Sequence, residues 1–390
     1  MPFTTVPDKW DLQQHFARDF RAAFLKAQTV SSNDSTARLD DLEALALMAN
    51  FEYEKTDSPP LHSNLGGLFL RHESLVMMML QYRVQDRVFT GPSSSVMLSR
   101  ARERRVLLHW HVYGLDAFHC LDRKQISLIP DTDPRDEDSF SQHGARDFLD
   151  AVLGLAVIAR KLLLQLCSNA AKRHGIEPND VHDGYARISQ WRNSTCPTHL
   201  RRCERSPEIV ATSDNNTGHS AELQRHIHLH RAVLWALEIN CLMQIESFVS
   251  DFGLRDNGSL LAEVTTARIE YESLRALNDM VAICRWIDEH PICEEDGKQR
   301  SLVDLAPLAL RNVCAGLCLW TCQRSISSQF PSMRASFGRR LMPTDGQKHP
   351  SQAQLESARL LRETAAKATS HRDTVGVLER LDKQIALLDS

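Results

Sequence analysis

The side chains in this chain that could do chemistry are histidines, cysteines and aspartates, and in each case the spacing stops short of a complete site. His226, His228 and His230 open the apolar run that ends at Val249. On a helix His226 and His230 share a face at i,i+4, while His228 points away. Two same-face histidines make half a metal site, and no glutamate follows in the H-E-x-x-H manner that supplies a general base. Cys196, His199 and Cys203 form C-x2-H-x3-C, where zinc requires four ligands. Pro197, Arg201 and Arg202 mark that stretch as a loop. Cys314, Cys318 and Cys322 recur every four residues and line one helix side beside Ala315, Leu319 and Ile326. Unpaired cysteine packs as a small apolar residue, so a helix–helix contact is expected there. Asp40-Asp41, with Glu43 next, is the candidate pair for holding magnesium against a diphosphate, which needs several oxygen ligands. No matching Asn/Ser/Glu cluster occurs on a later helix. Trp110, Tyr113 and Phe118 could line a small-molecule pocket, but aromatics at helical spacing bury the most apolar area and are expected in the core. G-x-S-x-G, G-x-x-x-x-G-K-[ST] and G-x-G-x-x-G do not occur. The residues therefore predict no catalytic group, no cofactor-binding residue and no metal ligand.

The elements that would position any site are helices. The chain has 390 residues, 42% apolar and 25% charged, with only 16 glycines and 15 prolines, so it can bury a sizeable core. Leu, Ala and Arg favour helix over sheet, and period-two alternation of β-branched residues is lacking. The net charge of −4 gives no basic footprint for nucleic acid. The local basic runs, Arg100 to Arg105 and Arg201 to Arg205, read as solvated helix ends or loops. The apolar run Phe148 to Cys167 contains Asp150, Arg160 and Lys161, which marks a core helix and not a membrane span. The N-terminus carries no secretory pattern, and the ten cysteines are expected as reduced thiols in an intracellular protein without a membrane partner.

Helices are predicted at 8–28, from Asp40 to about Tyr53 (ended by Ser58-Pro59-Pro60), at 65–80, over 145–173, 226–249, 260–290, 302–328 and 353–388. Pro307 is tolerated in a first helical turn. Residues 175–183 read as a turn, and 204–220 as a polar loop. The predicted fold is all-α, a large multi-helix bundle of antiparallel amphipathic helices. Residues 1–34 would form an N-terminal helix and polar linker, 35–330 the main helical domain, 331–352 a flexible loop, and 353–390 a C-terminal helix packing on that domain.

The stretch Arg102 to Asp133 is the most informative. Val106, Leu107, Trp110, Tyr113, Gly114, Ala117 and Leu121 recur at helical spacing, with Arg104, His111 and Asp122 opposite. Asp116 sits at the margin of that face, where a carboxylate could accept hydrogen bonds from a neighbouring turn. The order of residues resembles the signature helix of the fungal-specific transcription factor domain, the helical region downstream of binuclear zinc-cluster DNA-binding modules. In that family a basic cluster leads to Trp, a Tyr-x-x-Asp-like step, Gly-Arg-Pro and an Ile-x-Asp-x-Asp tail. The matching residues are Arg102, Arg104 and Arg105, then Trp110, Tyr113 and Asp116, then Ile129 with Asp131 and Asp133. Arg123-Lys124-Gln125 replaces Gly-Arg-Pro. A second resemblance runs from Ile188 through Trp191 and Pro197 to Leu200, where Cys196 replaces the family's leucine, and the histidine-containing run 226–249 follows in the family's order.

The resemblance covers about residues 35–330 and implies a nuclear regulator of RNA polymerase II transcription. It implies zinc and DNA binding through a C-x2-C-x6-C module upstream of this chain, and neither activity for the chain's own residues. It is compatible with a homodimer, a coregulator protein or a small-molecule effector as partner. The implied mechanism is a two-state helical bundle with Trp110 and Tyr113 at its strut, shifted by a ligand that prefers one state. The alternatives are a helical scaffold or a metal-dependent helical enzyme such as a terpene cyclase.

Overall fold

The computed structural model describes residues 39–46, 72–81, 96–130, 146–202, 221–255, 258–289, 292–293, 299–300, 307–329, 352–367 and 375–389, with isolated helical positions at His15, Asp19, Ala22 and Ala23. The fold is all-α. Its extended features among these residues are a two-residue antiparallel ladder, β1 (Ile292–Cys293) with β2 (Gln299–Arg300), and an isolated bridge between Ile176 and Leu254. Asp131 and Asp133 of the signature, the loops 204–220 and 331–351, and most of the expected helix 8–28 lie outside the described residues. The chain divides into two compact units, one of residues up to His143 with 371–373, the other of 144–370 with 374–390.

In the first unit α1 (His72–Gln81) packs on α2 (Val96–Arg123). The helical stretch 39–46 buries Leu42 and Leu45. Its Asp40 and Glu43 both accept from the Arg104 guanidinium, with Nε 2.9 Å from Glu43 Oε1. The acidic pair considered as a magnesium site thus spends one carboxylate on an ion pair with the basic cluster. The signature helix forms as expected and buries Val106, Trp110, Tyr113, Ala117 and Leu121. Leu107, however, is 36% exposed, while Leu108, Val112 and Cys120 are buried. At 100° per residue the enclosed arc is rotated by roughly a quarter turn from the face read in the sequence. Arg123 stands in the last turn, and Lys124 caps the helix in the left-handed region at φ 56°. The N–H of Gln125 then donates to Cys120 O at 3.0 Å.

The second unit is built around α6 (Ala221–Phe252). Packed on it are α3 (Arg146–Leu166), α4 (Asn169–His174), α5 (Pro178–Gln190), α7 (Leu260–Glu289) and α8 (Pro307–Gln329). The expected single helix 145–173 is two, because Ser168 caps a new start by accepting from Ala171 N at 3.1 Å. The expected turn 175–183 is confined to its first residues: Pro178 begins α5, as suits a residue with no N–H to satisfy. Gly175, at φ +84°, lets Ile176 pair with Leu254, and a Cβ there would fall 2.8 Å from Arg255 N. The expected C-terminal helix is also two, α9 (Gln352–Lys367) and α10 (Val375–Asp389). Residues 368–374 between them lie outside the described residues. Both helices pack on α8 and on each other, tied by Arg362 to Asp382 through paired 2.7 Å hydrogen bonds. Ile227–Phe252 is apolar and long enough to cross a membrane, and 61% of its most apolar window is buried inside this bundle.

Candidate functional site

The densest arrangement of buried charge lies where α5 ends. The helix continues into a π turn, Trp191–Thr195, closed by Cys196 N donating to Trp191 O at 2.8 Å. Such single-turn widenings concentrate at functional places. Here the turn opens with two adjacent side chains sent inward toward different neighbours. Trp191 goes to α3, where its Nε1 donates to Ala151 O at 3.0 Å. Its ring fits because residue 154 is glycine; a Cβ there would lie 3.1 Å from Cδ1 and Nε1. Arg192 goes to α6 and pairs with Glu238.

The chain then turns tightly, with Leu200 N donating to Pro197 O at 3.0 Å, and one face of α6 holds the turn. Arg231 Nε donates to His199 O at 2.7 Å, and Trp235 Nε1 to Leu200 O at 2.8 Å. Glu238, one turn further along that face, also takes Arg202 at 3.3 and 3.4 Å. Arg202 reaches in addition to Asp279 of α7, which Arg275 approaches at 3.9 Å. Arg192 and Arg202 are each 6% exposed and Glu238 1%. Burial works against the charge of Arg202, but Glu238 and Asp279 outweigh it and hold the guanidinium protonated more firmly than usual. The basic run Arg201–Arg205, read as solvated, therefore supplies a core cation. Arg105 is half-buried in α2, in the other unit, and Pro197 is half-buried in this turn.

The turn is a latch built from buried ion pairs and hydrogen bonds. Both Glu238 oxygens accept from guanidinium groups. The Cys196 thiol is pushed up to about 12, by burial first and by Glu238 second, so it stays protonated and inert. His199 lies 3.8 Å from Asp147, and Cys203, the third residue of C-x2-H-x3-C, lies outside the described residues. His230 stacks on Phe148 at 4.1 Å and His228 meets Trp286 edge-on at 5.3 Å. His226's side chain is outside the described set. Among the described residues, no three His, Cys, Asp or Glu side chains come together to hold a metal ion. Cys314, Cys318 and Cys322 are buried; Cys314 meets Cys284 at 3.7 Å and Cys318 donates to Ala358 O at 3.3 Å, as expected of thiols in helix contacts.

A smaller polar cluster joins α5 to α7. Thr265 Oγ1 donates to Leu261 O at 2.7 Å and so accepts from His182 Nε2 at 3.0 Å. Arg268 donates to His182 Nδ1 at 2.6 Å and lies over the Tyr185 ring at 5.4 Å. Burial, then Arg268, lowers the His182 pKa and keeps the ring neutral.

In the first unit, Trp110 and Tyr113 meet edge-to-face at 5.4 Å. Asp116 is fully buried and accepts from Ser127 Oγ beyond the helix end and from Cys120 Sγ at 3.5 Å. This carboxylate fastens the following segment to the helix, as its marginal position suggested. Of the residues picked out by the sequence resemblance, Trp191 and Pro197 both lie in this turn. Arg202 was read as a solvated loop residue, and Arg192, Arg231, Trp235, Glu238 and Asp279 were not singled out in the sequence. The one local signal for them is that Arg231, Trp235 and Glu238 recur at i, i+4 and i+7 on one face of the helix.

No family model matches this chain, and no curated protein or solved structure is significantly similar to it.

Proposed function

We propose that the chain is the regulatory domain of a fungal transcription factor acting on RNA polymerase II transcription in the nucleus, with DNA contacted through an upstream zinc cluster. The ordered sequence resemblance suggests this. The observation that carries it is the latch: the second signature segment, Trp191 to Leu200, is fastened to the central helix by buried charge. A turn held by a few discrete ion pairs has two defined arrangements, held or released, and a ligand preferring one shifts the balance. The effector is a small molecule or a coregulator protein that competes for the guanidinium groups of Arg192 and Arg202 or for Glu238. Arginine favours carboxylate or phosphate groups for such exchange.

The test is a fusion of residues 1–390 to a heterologous DNA-binding module in a fungal cell carrying a matching reporter. The expected result is a several-fold change in reporter transcript relative to the module alone, altered by Glu238→Gln. A stable fusion that reaches the nucleus and leaves the reporter unchanged in both forms would overturn the proposal. It would move the reading to a helical scaffold.

A further inference from the structure

The outward face of α7 is apolar along its centre line, the reverse of what an amphipathic surface helix shows. Its inner face buries Ala262, Thr265, Ile269, Ser273, Ala276 and Met280. Directly opposite, Leu260 is 77% exposed, Val264 52% and Tyr271 64%. Ala267 is exposed between them and Leu274 is half-exposed after them. Single exposed apolar residues need no explanation. A row at 260, 264, 267, 271 and 274 alternates steps of four and three, which is the seam spacing of a two-stranded coiled coil.

The positions around the row fit the same pattern. With Leu260 and Leu274 at d and Val264 at a, the next a position is the exposed Asn278. A β-branched a residue with leucine at d favours two strands, and one asparagine at a fixes register and strand number. The seam ends there, because the next d residue, Val281, is buried inward and the next a residue is the exposed Arg285. It spans about 27 Å at 1.5 Å per residue. Its flanks are charged in a self-complementary way. The g positions are Glu263 and Glu270, and the following e positions are Arg268 and Arg275. In a parallel pair each g residue faces the e residue five positions further on in the other strand, so Glu263 meets Arg268 and Glu270 meets Arg275. An antiparallel pair would set glutamate against glutamate and arginine against arginine. Within the chain Arg268 uses one donor on His182, Glu270 pairs with Arg324, and Arg275 lies 3.9 Å from Glu272 and Asp279. A guanidinium has five donors and a carboxylate two oxygens, so each can take a second partner.

We infer that this face of α7 is the interface with a second copy of the same chain, the two helices running parallel about a twofold axis along the seam. The contact is isologous, each copy presenting the same row and the same charge order. It does not depend on the transcriptional assignment.

The test is sedimentation equilibrium of the full chain over a range from about 1 to 100 µM, with three forms compared. Wild type is expected to shift with concentration from the 44.2 kDa chain mass to twice that value. Val264→Glu/Tyr271→Glu, at two exposed positions, is expected to keep the far-UV circular dichroism spectrum and weaken the dimer by ~100-fold or more through buried like charges. Val264→Cys is expected to form a disulfide-linked dimer under mild oxidation that wild type does not form, because an a-position residue faces its own copy only in a parallel pair. A wild-type monomer across the range, a dimer unaffected by the double glutamate variant, or a dimer in which Val264→Cys forms no cross-link would each overturn the inference. So would a monomer that binds a different protein through this face.

Discussion

Removing the Glu238 carboxylate should be the most damaging single change in the second unit. Glu238 is 1% exposed and faces two guanidinium groups, Arg192 and Arg202, each 6% exposed. In Glu238→Ala these cations stay in the interior without their shared anion. Breaking a buried pair by deleting one side costs about 3–5 kcal/mol, because the stranded charge keeps its desolvation penalty. Asp279 still holds Arg202, which argues for the lower half of that range. For a unit of this size each kcal/mol moves the midpoint by about 2–4 °C, so Tm should fall by about 10 °C. Urea unfolding followed by tryptophan fluorescence reads the same loss, since Trp191 and Trp235 flank the cluster. The loss should persist in 1 M salt, where an exposed pair would be screened. Arg192→Met/Arg202→Met/Glu238→Leu is the decisive comparison. Replacing the three buried charges with apolar groups of similar volume removes their penalty together with the attraction, leaves the partly exposed Asp279 to Arg275 and solvent, and should recover most of the stability. A Glu238→Ala variant that loses less than about 1 kcal/mol, or a triple variant less stable than the single one, would refute a buried ionic latch.

Three further changes test other parts of the structure. Trp110→Ala removes a ring that is 3% exposed and wedged edge-on against His109 and Tyr113, and should cost about 3–5 kcal/mol in a urea titration; an unchanged midpoint would contradict the burial of the signature helix. His109 is 2% exposed, neither ring nitrogen has a hydrogen-bond partner, and burial pushes its pKa down to about 4 from 6.5. The folded chain thus prefers the neutral ring, and its contribution is complete above pH 6.5 and lost as pH falls to about 4, a change on the order of 3 kcal/mol. His109→Leu should flatten the wild-type decline across that window, read as urea midpoints at stepped pH. Gly154→Ala would place a methyl 3.1 Å from the Trp191 ring and should cost about 1–3 kcal/mol by overpacking. Combining it with Trp191→Phe should cost less than the two single losses added together, and strict additivity would show that the two residues do not touch.

The all-α fold and most of its helices were legible because each is written in local spacing. The row from Val106 to Leu121 repeats every three or four residues, and a helix is the one structure that gathers such a row on one side. Local spacing shows that a face exists but leaves its centre to the neighbours. That is why Leu107, included by period, points outward while Leu108 and Val112 point inward. The helix interruptions were legible in part. Ser168 and Pro178 are ordinary start signals once a break is suspected. The strong apolar period leading up to Ser168 hid the break there, because the short run after it, Asn169–His174, carries no pattern of its own to mark a new start.

The latch was hidden for a different reason. Arg202 looks solvated in sequence because the groups that admit it to the interior, Glu238 and Asp279, lie 36 and 77 positions away on two other helices. A charge enters a core only with its partner, and partnership is a property of the packed helices and not of either stretch. The same separation explains how a turn far from regular helix can matter to the bundle. The Trp191–Arg202 segment touches α3 through one tryptophan, α6 through two arginines and two carbonyls, and α7 through Arg202. These contacts use few apolar atoms for the number of helices they join. Dissolving any one of the ion pairs leaves the remaining cation buried, so the segment has no cheap intermediate position. Its release therefore costs the buried ion pairs together and not one at a time. That property, more than the identity of any single residue, is what would let an anionic ligand or a competing side chain act on the bundle as a whole.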